Sequence, residues 1–194
     1  PAPVVLGVLA MLRDFALANL GFFAVACAII AWAQWRTRPG PRFPGPRPVG
    51  TAFKIWLVVI WLVGFVLPLA ALVIDGVLGG HRPVRIALGF YLLMFVAQVA
   101  TEIFVWKRWA SPVWVIVPCL YLPWRLFQAW MGLQVVDGPV LSLVTLWALV
   151  ALWIINVGVH YSNIANTLRW DHHPPDARFE ARRSPNPFVR EPGT

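Results

Sequence analysis

The chain has 194 residues, 59% of them hydrophobic and 12% charged, with 12 tryptophans and 18 prolines. Soluble domains average about 25% charged and 45–50% apolar residues, and the mean hydropathy here is +0.69. That balance excludes a disordered chain, a basic nucleic-acid-binding domain and a typical cytosolic enzyme. It predicts an integral membrane protein, in which the net charge of +8 acts as a topology signal and draws anionic lipid headgroups rather than nucleic acid.

Residues 1–14 form the first segment. Their apolar stretch, 4–12, is too short to cross about 30 Å of hydrocarbon, so it is expected at the interface or as an outward extension of the first helix. No basic residues precede it and no small-residue cleavage site follows promptly, which argues against a removable signal peptide. Five runs then meet the requirement of about 20 predominantly apolar residues: 15–35, 53–78, 86–106, 112–133 and 140–165. Lipid offers no partner to an unpaired backbone group, and the runs lack the alternation of a small barrel, so all five are predicted helices. The fold class is therefore all-α and polytopic, with a five-helix transmembrane domain over 15–169.

Between the first two runs, Arg36–Gly50 holds five prolines and three glycines and is predicted to be an extended connector on the membrane surface. Lys107–Ser111 closes a tight hairpin between the third and fourth runs, and Val136-Asp137-Gly138-Pro139 turns the chain between the fourth and fifth. Residues 170–194 are charged, proline-rich and aperiodic, and read as an extended tail. The pair His172-His173 within it is expected to be solvated.

Lysines and arginines set the orientation. Twelve fall on the side of the connector, the hairpin and the tail (Arg36, Arg38, Arg42, Arg47, Lys54, Lys107, Arg108, Arg169, Arg178, Arg182, Arg183 and Arg190). Three, Arg13, Arg82 and Arg85, fall on the other, and Arg125 lies inside a run. The positive-inside bias places the connector and C-terminus in the cytoplasm and the N-terminus outside, in a bacterial inner or photosynthetic membrane.

Few polar residues interrupt the runs. Gln98 and Glu102 are four apart and share a helix face; a carboxyl at this depth faces protein and serves either an ion pair or a proton path. Arg125 is its candidate partner, but regular helices would set the two about 10–15 Å apart in depth. A break of the fourth helix at Pro123, leaving Arg125 to snorkel at the outer interface, is the favoured expectation. Asn156, His160 and Asn163 recur at i, i+4 and i+7 and form one polar stripe, suited to bonds between helices or to a ligand. His160 stands alone among histidines within a run, which excludes bis-histidine haem within the chain but allows a single axial ligand. Candidate contacts for a chlorophyll-type pigment or a quinone are His160, Asn156, Gln98 and Glu102; carotenoid and bound lipid are further expected occupants. Cys27 and Cys119 read as buried small hydrophobes, and no metal-ligand spacing is present.

No zincin, nucleophile-elbow or phosphate-loop motif occurs. The expected function is a non-catalytic accessory or structural subunit of a larger membrane complex, photosynthetic or respiratory, whose partners are lipids and other integral membrane subunits. The alternative is a small-solute, proton-coupled or lipid transporter using Glu102, Arg125 and His160.

Overall fold

The computed structural model describes residues 2–37, 51–109 and 112–162. The greater part of the connector, Asn163 and the tail with His172-His173 lie outside these. Among the described residues every regular element is helical. Four stretches are long and apolar enough to cross a membrane: Arg13–Arg36, Lys54–Leu78, Arg82–Trp109 and Val140–Ser162.

Helix α1 (Ala2–Thr37) is continuous over 36 residues with no break near residue 14. At 1.5 Å per residue it measures about 54 Å, well beyond the hydrocarbon thickness. A second long rod combines α2 (Thr51–Trp61), a π-helical segment Leu62–Val66, α3 (Leu67–Ala71) and a second π-helical segment Leu72–Leu78. Gly80 takes φ +72° in the turn that follows, a conformation glycine adopts without strain. Helix α4 (Arg82–Phe104) starts with Pro83 in its first turn and ends in a third π-helical segment, Val105–Trp109. A 3₁₀ turn, Pro112–Val115, leads into α5 (Ile116–Val135). Gly138, at φ +100°, makes the turn into α6 (Val140–Ser162).

Helix α5 matches the fourth apolar run but is the one long helix that does not reach the apolarity of the others. Arg125, Gln128, Gln134, Pro118 and Pro123 dilute its twenty residues. It is nevertheless unbroken. Pro123 lies inside it, so the expected break at Pro123 does not occur.

The prolines explain two interhelical bonds. A proline within a helix offers no N–H to the carbonyl four residues before it. Behind Pro68 that carbonyl belongs to Gly64, and it accepts the Tyr91 hydroxyl from α4 at 2.8 Å. Behind Pro123 it belongs to Cys119, and it accepts the Tyr161 hydroxyl from α6 at 2.6 Å. Each freed acceptor is thus satisfied by a tyrosine of a neighbouring helix, as the buried Gly64 carbonyl requires.

The helices alternate in direction and share two ends. At one end the Trp56 indole of α2 donates to Asn156 of α6 at 3.1 Å, Tyr161 reaches Cys119 at the start of α5, and Ile30 and Ala33 of α1 pack with Val105 and Val113. At the other end Ala71, Val84, Val136 and Leu146 form one apolar cluster. There Asp75 accepts from the backbone N–H of Ser142 at 2.9 Å and from its hydroxyl at 2.7 Å. This carboxylate, carried by a different helix, caps the N-terminus of α6, where unpaired N–H groups favour negative charge.

Candidate functional site

The central feature is a buried arginine. Tyr91, Phe95, Gln98 and Glu102 are spaced at four, three and four residues along α4, which puts them on one helical face. That face looks toward α5, and Arg125 extends into it. The Arg125 Nε donates to Gln98 Oε1 at 2.7 Å, and its Nη2 donates to the Phe95 carbonyl at 3.3 Å. Gln98 Nε2 in turn donates to Glu102 Oε1 at 2.6 Å. One amide therefore links the guanidinium to the carboxylate. Among the described residues Arg125 and Glu102 form no direct ion pair; the side chain of Gln98 bridges them.

Arg125 is 1% exposed. The expected interfacial position for it is corrected: because α5 continues through Pro123, the side chain stays inside the bundle instead of reaching headgroups. Its guanidinium sits 4.1 Å from the Phe95 ring centroid and 4.8 Å from that of Trp153, with Tyr91 at 5.8 Å. Desolvated cation–π contacts contribute about 2 kcal/mol each, which offsets part of the large cost of burying a charge. The cage is itself tied together: the Trp153 indole donates to the Tyr91 hydroxyl at 3.1 Å, and that hydroxyl donates to Gly64. Gly64 admits this approach because a Cβ there would lie 3.2 Å from Trp153 and 3.3 Å from Leu152. The guanidinium Nη1 has no hydrogen-bond partner among the described residues.

A second polar cluster was not singled out by the sequence. Asn19 of α1 is 1% exposed. Its Oδ1 accepts from the Trp124 indole at 3.0 Å and from the Gln128 amide, while its Nδ2 donates to the Phe15 carbonyl at 2.8 Å. Phe22 stacks on Trp124 with centroids 4.4 Å apart. Asn19 is an amide in the middle of an apolar run, and Gln128 falls one turn beyond Arg125; those two signals were available. Nothing in hydropathy marks Tyr91, Trp153 or Gly64.

The polar stripe on α6 does not join the arginine cluster. Asn156 is engaged by Trp56. His160 lies against the backbone of Val115, and its Nε2 has no partner among the described residues. Asn163 lies outside them. The structure thus brings together Gln98, Glu102 and Arg125 and leaves Asn156 and His160 on separate contacts. No family model matches the chain, and neither a curated protein nor a solved structure matches it. The functional reading stands on this geometry.

Proposed function

We propose that the chain crosses the bilayer five times, N-terminus outside and C-terminus cytoplasmic, as a non-catalytic accessory subunit of a larger membrane complex. An energy-transducing assembly in a bacterial inner or photosynthetic membrane is the host that suits it. One observation carries this reading: among the described residues every buried polar side chain except Thr145 makes a bond to another helix. Arg125, Gln98, Asn19 and Gln128 each pair across α1, α4 and α5, and Asn156 pairs with α2. A transporter would be expected to gather Glu102, Arg125, Asn156 and His160 around one path; Gln98 links Glu102 to Arg125, but Asn156 and His160 sit on separate contacts, which speaks against it. Large aromatic side chains meanwhile face outward, Trp32, Trp61, Trp130 and Trp147 among them, and offer surface to lipid and to neighbouring subunits.

The basic residues support the orientation. Arg36, Lys54, Lys107 and Arg108 fall at the bundle end where α1 and α4 finish, and Arg13, Arg82 and Arg85 fall at the other. Of the four side chains expected to touch a pigment or quinone, Gln98, Glu102 and Asn156 already spend polar atoms on protein partners. His160 keeps an imidazole nitrogen with no described partner and is the first choice for an axial ligand. Extraction in mild detergent tests the proposal. Stoichiometric co-purification with a larger assembly is the expected result, and an absorption spectrum of that material reports any pigment. Recovery as a monodisperse single chain, with Glu102→Gln abolishing solute uptake in proteoliposomes, would replace this reading with the transporter.

A further inference from the structure

A groove of about 350 Å³ runs between α1 and α4, within the ~300–1,000 Å³ range of ligand sites, and it is open to the outside of the bundle. Phe23, Cys27 and Ile30 line one side, and Ala97, Thr101 and Phe104 the other. Its walls are almost entirely apolar. Thr101 does not alter this, because its hydroxyl donates to the Ala97 carbonyl at 2.7 Å and offers no free proton to the groove. At one end the lining includes Val105 and Trp109, and between these two residues the same π-helical segment carries Lys107 and Arg108. Both are exposed, and neither has an ion-pair partner among the described residues. Arg36, at the end of α1, is exposed at the same end of the bundle, with its guanidinium over Trp35. Exposed Trp35 and Trp106 flank this rim, as aromatic side chains do at headgroup depth.

We infer that this groove binds one anionic phospholipid, its acyl chain lying between α1 and α4 and its phosphate held by Lys107, Arg108 and Arg36. The inference rests on the membrane reading above. An apolar channel with exposed cations at the same end of the bundle, none of them in an ion pair among the described residues, fits a hydrocarbon chain with a negative head. A partner helix would need acidic residues of its own to meet the rim. Each basic residue at a membrane surface favours an anionic lipid by about fivefold.

The full chain, purified in mild detergent, is offered phosphatidylglycerol and phosphatidylcholine in equimolar amounts, and retained lipid is read by native mass spectrometry. The intact chain is expected to keep one phosphatidylglycerol in preference to phosphatidylcholine. K107Q/R108Q should cut that preference about thirtyfold. A100F, at an exposed groove position, should lose the lipid while keeping helical circular dichroism and elution volume. Equal retention of the two lipids by the intact chain overturns the inference. So does an unchanged preference in K107Q/R108Q, and so does a lipid-free mass of two chains. If A100F fails to fold, the charge variant alone decides. A chain that does not partition into membranes would instead refute the membrane reading itself, so the two failures are distinguishable.

Discussion

The bond between Arg125 and Gln98 can be weighed by a double-mutant cycle with Arg125→Met and Gln98→Leu. Both side chains are buried, at 1% and 7% exposure, and the Nε–Oε1 distance is 2.7 Å. Hydrogen bonds between helices in a bilayer average about 0.6 kcal/mol and reach about 1.7, whereas a bond to a charged group in a protein interior is worth about 1.5–3 kcal/mol. A charged donor with nearly complete burial puts this pair where the two ranges overlap, at about 1.5 kcal/mol of coupling. Arg125→Met alone also forfeits the bond to the Phe95 carbonyl and the stacking on Phe95 and Trp153. Removing one member of a buried charged pair costs about 3–5 kcal/mol. Glu102 is only half-buried and so better placed to tolerate losing its partner, which sets the expectation near 3 kcal/mol. The assay is unfolding of the purified chain in mixed micelles, followed by helical circular dichroism as sodium dodecyl sulfate is raised. Coupling below about 0.5 kcal/mol, the margin within which independent sites add, would refute the bridged arrangement.

Three further outcomes follow from named contacts. Tyr91→Phe should cost about 1–3 kcal/mol, because it leaves the Gly64 carbonyl and the Trp153 indole unpaired, and Pro68→Ala should recover part of this by returning an N–H to Gly64; the same micelle titration measures both. Asp75→Ala should destabilise by about 1–2 kcal/mol through loss of the cap on α6, and amide hydrogen exchange should rise first at residues 140–143. Asn156→Leu should change stability by only about 0.6 kcal/mol and leave co-purification intact, which a pull-down from mild detergent checks.

Much of the architecture could be read from hydropathy, because a helix in lipid must be apolar over a fixed length. The runs 53–78 and 86–106 correspond to helical segments with ends shifted by a few residues, the described part of the last run, 140–162, is helical, and Gly138 marked its turn. The Gln98–Glu102 pair was legible from its four-residue spacing. The position of Arg125 was not. Pro123 suggested a break, yet proline removes one donor and does not end a helix when the freed carbonyl finds another, and Tyr161 supplies it from forty-two residues away in sequence. The same logic hides Gly64 and Tyr91, since a bond created by a missing N–H leaves no trace in composition. The three π-helical segments, two of which carry Gly64 and Asp75, were likewise invisible to a search for apolar length. Asn19 and Gln128 were readable as polar residues within apolar runs, but only tertiary packing pairs them.

The central claim is that α5, the least apolar of the long helices, crosses the membrane with Arg125 inside it. Labelling of single cysteines tests this most directly. With Cys27 and Cys119 replaced by alanine, cysteine is introduced either at Lys107 or at Asp137, both exposed, and a membrane-impermeant maleimide is applied to sealed vesicles of known orientation. Labelling of the two positions from opposite faces is the predicted result. Labelling of both from the same face would place α5 along one surface and contradict the account.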